Sequence, residues 1–99
     1  MNTNEFQALL KTLYLLKEES LAMYNEKQYK FEEQLIHFHD EYLAFLNKKY
    51  SNVQCKYRGS DVIITEIESS TYGYPYLCCK YIPSDITFRS RIYSRFIFS

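Results

Sequence analysis

The first half of the chain carries apolar residues at the three- and four-residue spacing of amphipathic helices. One apolar stripe consists of Phe6, Leu9, Leu13, Leu16 and Met23. A second stripe is displaced by one residue, which rotates it by about 100° around a helix, and it consists of Tyr24, Phe31, Leu35, Phe38, Tyr42 and Phe45. This change of phase predicts two helices, near residues 4–22 and 26–48.

The break between the two stripes carries signals of a helix start. Asn25 and Gln28 have the spacing of a capping box, and Tyr24 and Tyr29 can form a hydrophobic staple. A single helix over residues 5–48 would be about 66 Å long, whereas a compact chain of this length has a radius of gyration of about 13 Å. The alternative is one long bent helix that protrudes from the domain and pairs with a second copy.

The two apolar phases also bear on assembly. Together they present more apolar surface than one face of a small sheet can readily cover, and exposing such a stripe to water is unfavourable. We therefore expect a homodimer in which the first helix or the stripe from Tyr24 to Phe45 contributes to the interface.

The second half of the chain has the alternation and the turn residues of an antiparallel sheet. Val53, Cys55 and Tyr57 alternate with polar residues, which is typical of a half-buried strand. A turn at 59–61 leads into the strand VIITEIE, the loop SSTYGYP precedes the strand YLCCKYI, and a turn at 83–85 leads into the last segment.

The last segment, residues 86–98, alternates throughout its length. One face would carry Ile86, Phe88, Ser90, Ile92, Ser94, Phe96 and Phe98, and the other would carry Thr87, Arg89, Arg91, Tyr93, Arg95 and Ile97. The prediction is a single α+β domain over residues 1–99. Its helical pair (1–48) packs on one face of a four-stranded antiparallel sheet (49–99).

Composition and charge exclude several classes of protein. No apolar run approaches a membrane span, the first residues lack the features of a signal peptide, and three cysteines do not make a secreted disulfide framework. We therefore expect a cytoplasmic protein. The neutral total of 12 basic and 12 acidic residues is unevenly distributed, since residues 1–47 carry four basic and eight acidic residues while residues 48–99 carry the reverse.

The residue types that carry chemistry do not form a recognisable site. His37 and His39 lie two positions apart on a helix and point away from each other, so they do not share a metal ion. Cys78 and Cys79 point to opposite faces of a strand, and we expect Cys55 to behave as a small buried hydrophobe. No phosphate loop, nucleophile elbow or zinc-protease motif occurs in the sequence. We predict no catalytic residue, no metal and no cofactor.

The strongest candidate for a functional surface is a basic face of the sheet. It would bring together Lys56, Arg58, Lys80, Arg89, Arg91, Tyr93 and Arg95. Arginine interleaved with an aromatic residue on an open sheet suits contact with phosphate or carboxylate groups. The structural alternative is that Glu66 and Glu68 pair with these cations inside the fold. The mainly acidic outer face of the second helix is the other candidate surface.

These observations predict a non-catalytic binding protein. In style alone, the small Tyr-, Lys- and Ile-rich chain resembles proteins of phages and mobile elements that block a host enzyme, anti-CRISPR proteins among them. That resemblance implies an inhibitor or regulator that engages a larger host protein or nucleoprotein complex, such as a defence nuclease. The alternative is direct nucleic-acid binding by the basic sheet face, which salt dependence would distinguish because phosphate binding weakens steeply with salt.

Overall fold

The computed structural model describes residues 2–70 and 74–98 of the chain. The elements in chain order are α1 (Thr3–Asn25), α2 (Tyr29–Tyr50), β1 (Val53–Tyr57), β2 (Ser60–Glu68), β3 (Tyr76–Tyr81), β4 (Thr87–Ser90), a 3-10 turn (Tyr93–Arg95) and β5 (Phe96–Ile97). The fold is α+β with an antiparallel sheet, as predicted, but the sheet has five strands rather than four. Among the described residues, no helix combines the length and the apolar character needed to cross a bilayer.

The two predicted helices are separate elements, so the alternative of one long bent helix is wrong. The side chain of Asn2 accepts hydrogen bonds from the amides of Asn4 and Glu5, which caps α1 at its start. At its end, Lys27 adopts a left-handed backbone with φ 59°. The amide of Gln28 donates to the Met23 carbonyl at 2.8 Å, which is the hydrogen bond of a Schellman motif.

The predicted capping box at this reversal is absent, because the Gln28 side chain makes no capping hydrogen bond. The predicted staple is present: the rings of Tyr24 and Tyr29 meet edge to face with centroids 5.8 Å apart. Every residue from 24 to 31 is exposed. The reversal therefore forms a tip that projects from the core of a molecule measuring 49 × 23 × 20 Å.

One core joins the first half of α1, the second half of α2 and the inner face of the sheet. The helices contribute Phe6, Leu10, Leu13, Leu46 and Tyr50, and the strands contribute Cys55, Tyr57, Val62, Ile64, Ile67, Leu77, Cys79 and Phe96. The ring of Phe6 lies 4.9 Å from that of Tyr50 and 4.7 Å from that of Phe98, centroid to centroid. Aromatic packing thus brings both helices against the C-terminal end of the chain.

The sheet order is β4-β3-β2-β1-β5, and each pair of neighbours is antiparallel. Tyr57 on β1 and Phe88 on β4 have ring centroids only 4.7 Å apart. A flat sheet would separate β1 from β4 by about 14 Å, so this sheet is strongly curved around its inner face. An irregularity between Ile64 and Glu66 in β2 accompanies the curvature, as bulges do.

The last segment is not the single strand that its alternation predicts. Only Thr87–Ser90 pair with β3. The partner of Ser90 is Leu77, the second residue of β3, so β3 ends before it can pair with more of the last segment. The chain then crosses the curved sheet and pairs with β1 at its opposite edge, where Tyr57 faces Phe96. The fifth strand is therefore the last part of the segment that the alternation predicts as one continuous fourth strand.

Asn47 connects α2 directly to the sheet. Its amide nitrogen donates to the Ile67 carbonyl at 2.9 Å, and its amide oxygen accepts from the Ile67 amide at 2.8 Å. β1 pairs with β2 only as far as Ile64. The Asn47 side chain therefore takes the place of the missing strand neighbour at Ile67.

Candidate protein-binding surface

The outer face of the sheet is the side opposite the core. The register places on it Gln54, Lys56, Asp61, Ile63, Glu66, Glu68, Tyr76, Cys78, Lys80, Thr87, Arg89 and Ile97. All of these residues are exposed or half-buried. They include three cations and three carboxylates, so the face is balanced in charge rather than basic as predicted.

Three of the predicted basic residues form ion pairs. Lys56 Nζ lies 2.7 Å from Asp61, across the β1–β2 ladder. Arg89 lies 3.5 Å from Glu68, and Lys80 lies 3.6 Å from Asp85 in the turn before β4. The structural alternative of internal pairing therefore holds for Arg89 with Glu68. Exposed pairs of this kind add little stability, but they use cations that a purely basic surface would leave free.

Arg91 makes a different contact, with Tyr76. Its guanidinium carbon lies 4.2 Å from the centre of the Tyr76 ring, and the guanidinium also donates a hydrogen bond to the Tyr76 hydroxyl. Tyr76 lies opposite Glu68 in the β2–β3 register. Arg91 remains exposed, and no ion pair involves it within residues 2–70 and 74–98.

Arg58 lies at the β1–β2 turn, outside the strands that form the outer face. Arg58 and Gly59 have φ values of 50° and 85°, which is the left-handed pair that a two-residue hairpin turn requires. The amide of Arg58 donates to the Arg95 carbonyl at 3.2 Å. The Arg58 side chain is exposed at the end of the hairpin.

The predicted row of Arg89, Arg91, Tyr93 and Arg95 on one face is wrong, because the chain leaves β4 after Ser90. Arg95 Nη1 donates to the Tyr57 hydroxyl at 3.4 Å, on the inner side of the sheet, and this contact lowers the pKa of Tyr57. The hydroxyl of Tyr93 donates to the Pro75 carbonyl at 2.5 Å. Burial raises the pKa of Tyr93, and its half-buried ring is not a platform for stacking among the arginines.

The resulting site is a small set of outer-face residues, Tyr76, Arg89 and Arg91, which we call the Arg–Tyr patch. No protein-family model, curated protein or solved structure matches this chain. The depression beside the patch, lined in part by Cys78 and Arg89, has a volume of about 400 Å³ and opens to solvent. Its shape suits a protein surface rather than an enclosed small molecule.

Sequence reasoning missed one polar arrangement. His39 is 3% exposed, although its position beside the apolar stripe predicts a boundary residue. Its Nδ1 lies 3.0 Å from Asp40 Oδ1, and its Nε2 lies 2.8 Å from Ser69 Oγ. The order of these groups is that of a Ser-His-Asp triad. The Asp40 side chain, however, is 68% exposed, whereas a triad carboxylate is buried. We interpret the arrangement as a satisfied buried imidazole that ties α2 to the end of β2.

The cysteines and carboxylates are the remaining candidates for chemistry. Burial raises the pKa of Cys55 to about 11 and that of Cys79 to about 12, so both remain thiols at neutral pH.

Ligand atoms of Glu66, Glu68 and Cys78 lie within 4.8 Å of one another. The Arg89 guanidinium already pairs with Glu68, and burial raises the pKa of Cys78, which opposes metal binding by its thiolate. We assign no metal to this cluster.

Proposed function

We propose that this protein is a non-catalytic inhibitor or regulator that binds a larger protein through the Arg–Tyr patch. The observation that carries the proposal is the Arg91 guanidinium stacked on the Tyr76 ring of an open sheet face. Arginine and tyrosine are enriched at the energetic centres of protein interfaces. The phage-type inhibitor of a host defence nuclease is the specific form of this proposal, and it rests on the style of the chain.

The geometry of the patch favours binding because Arg91 is partly ordered before a partner arrives. Arg91 makes two contacts with Tyr76, one with the ring and one with the hydroxyl. Arg89 pairs with Glu68, which faces Tyr76 across the ladder, but this exposed pair restrains Arg89 only weakly. Side chains that are ordered before binding lose less entropy in the complex.

The charge of the patch indicates the chemistry of the partner. Among the described residues, Arg91 takes part in no ion pair. A guanidinium binds a carboxylate with two parallel hydrogen bonds, which gives both orientation and strength. The expected partner surface therefore presents an Asp or Glu side chain to Arg91.

Nucleic-acid binding is the second candidate, supported by the arginines and by Tyr76 on a sheet face. Protein–DNA interfaces are much more positively charged than protein–protein interfaces. Here the carboxylates of Asp61, Glu66 and Glu68 lie on the same face as the cations. A phosphate backbone would meet those carboxylates directly, so the balance of charge favours a protein partner.

The test compares Arg91→Glu with Lys11→Glu, which makes the same charge change at an exposed position of α1. The unaltered protein and both variants are each immobilised to capture a partner. The partner that the unaltered protein retains is then purified, and its affinity for each of the three proteins is measured. We expect Arg91→Glu to bind at least about 30-fold more weakly, since removing one partner of a desolvated charge pair costs about 2–5 kcal/mol. Lys11→Glu should bind as the unaltered protein does, and the circular dichroism spectra of all three proteins should agree.

Equal binding by Arg91→Glu would contradict the proposal. A labelled oligonucleotide provides the test of the second candidate. Binding that weakens by about a thousandfold between 50 and 200 mM salt, and that Arg91→Glu abolishes, would establish the nucleic-acid function instead. A purified partner that loses activity when this protein binds would support the inhibitor role.

A further inference from the structure

An aromatic line runs along the exposed side of α2. It consists of Phe31, Phe38 and Phe45, which are 56%, 58% and 50% exposed. The three residues are seven apart, so each is rotated by only about 20° from the one before. They form a nearly straight line about 21 Å long. A monomer gains nothing from leaving three phenyl rings in water.

The spacing indicates that another helix covers this line. Side chains that repeat every seven residues stay in contact with a partner helix that winds around the first, as in coiled coils. Half-buried Leu35 and Tyr42 border the line on the side of the core. Exposed Gln34 and Glu41 border it on the other side, so the line has the apolar centre and polar edge of a helix-packing surface.

We propose that the occupant is a second copy of this chain, with the two α2 helices antiparallel and Phe38 on the two-fold axis. Phe31 and Phe45 are equally distant from Phe38 along the chain. A two-fold rotation at Phe38 therefore places Phe31 of each copy against Phe45 of the other. A surface that maps onto itself in this way meets the requirement of an isologous interface.

The two edges of the line distinguish the antiparallel arrangement from the parallel one. In a parallel pair, the two-fold axis runs along the helices, so the polar edge of one copy, with Gln34 and Glu41, would lie against the apolar border of the other, with Leu35 and Tyr42. In the antiparallel pair, the axis is perpendicular to the helices, so polar edge meets polar edge and apolar border meets apolar border. The antiparallel arrangement therefore keeps Glu41 away from the apolar border.

The aromatic line supplies a large part of the area that a dimer needs. Phenyl side chains of about 200 Å² that are half exposed contribute about 300 Å² per copy, or about 600 Å² for the pair. That is more than half of the roughly 1,000 Å² expected of a specific interface. The side chains that border the line contribute to the remainder.

Light scattering of the unaltered chain and of two variants tests the dimer. We expect the unaltered chain to have twice the 12.0 kDa mass of one chain at micromolar concentration. Phe38→Glu should be monomeric with an unchanged circular dichroism spectrum, because the site is 58% exposed in the monomer. Ile86→Glu, at a 62% exposed position outside α2, is the matched control and should remain dimeric. A monomeric unaltered chain, or a dimeric Phe38→Glu, would overturn the proposal.

Disulfide trapping tests the orientation, in a Cys78→Ser background that leaves only the two buried thiols. Mild oxidation should crosslink Phe38→Cys with itself. Phe31→Cys and Phe45→Cys should each fail to crosslink alone and should crosslink when mixed, because like positions lie about 21 Å apart along the axis. Self-crosslinking of Phe31→Cys and of Phe45→Cys would establish a parallel pair and contradict the antiparallel one. Arg91→Glu should remain dimeric, so this result is independent of the proposed function.

Discussion

The replacement Asn47→Asp probes the connection between α2 and the sheet with almost no change of shape. Asn47 both donates to and accepts from the backbone of Ile67, and its amide nitrogen also donates to the Leu43 carbonyl at 3.2 Å. The aspartate keeps the acceptor for the Ile67 amide. It replaces the donor by an oxygen that faces two carbonyl oxygens.

The cost follows from the burial of the site. Ile67 is 1% exposed, so its carbonyl has no access to bulk water once the donor is lost. An unsatisfied buried acceptor costs about 1–3 kcal/mol, and the repulsion between the carboxylate and the carbonyls adds to it. We expect a loss of about 2–4 kcal/mol in the free energy of unfolding. For a chain of this size, that corresponds to a fall of roughly 10–25 °C in melting temperature.

Thermal and urea denaturation followed by circular dichroism measure this loss. The matched control is Asn4→Asp, the same change in the exposed first turn of α1, where a carboxylate at a helix N-terminus is neutral or slightly stabilising. A melting temperature of Asn47→Asp within about 3 °C of the unaltered protein would refute the reasoning. It would mean that the Asn47 side chain does not complete the β2 ladder.

Four further predictions concern other groups. Cys55 and Cys79 should resist a thiol reagent at neutral pH in the folded protein, since burial raises the pKa of each to about 11 and about 12; rapid labelling of either would contradict their burial. Cys79→Ala should cost about 1–2 kcal/mol of stability and leave partner binding unchanged. Ser69→Ala should lower the melting temperature by removing the His39 partner, and a fluorophosphonate should not label Ser69; labelling that Ser69→Ala abolishes would reveal a hydrolase. Lys49 lowers the pKa of Glu5 from its ordinary value of 4.5, so this pair stabilises the fold above that value and the contribution is lost as pH falls through the lowered pKa. Glu5→Gln should therefore weaken the fall in the free energy of unfolding at acid pH. An unchanged dependence on pH would show that the Glu5–Lys49 pair does not contribute to stability.

The local pattern of the sequence predicts most of the elements because each pattern has one physical cause. The phase change between Leu16 and Phe31 separates two helices, and the alternation around Cys55 gives a strand with one buried face. The pattern of one segment does not show how long the neighbouring strand is. Alternation continues from Ile86 to Phe98, but pairing with β3 ends at Ser90.

The sequence predicts only part of the candidate site, because local alternation determines direct pairing across strands but not the path of the chain beyond a strand. Lys56, Lys80 and Arg89 do share a face, because direct pairing across strands follows from the alternation. Arg95 lies on the other side of the sheet, since the crossing to β5 depends on the curvature. The contact between His39 and Ser69 joins residues 30 positions apart, and no local pattern indicates it.

The central claim is that a protein partner covers the Arg–Tyr patch, and hydroxyl-radical footprinting of the complex tests it most directly. The reagent modifies aromatic side chains in proportion to their solvent access, so it reports on half-buried Tyr76 of the patch and on exposed Tyr24 at the tip of the helices within one experiment. Tyr24 is 56% exposed, which makes it the internal control. We predict that saturation with the partner retained by the unaltered protein lowers the modification of Tyr76 and leaves that of Tyr24 unchanged. Protection of Tyr24 with unchanged modification of Tyr76 would contradict the account and place the partner on the helices.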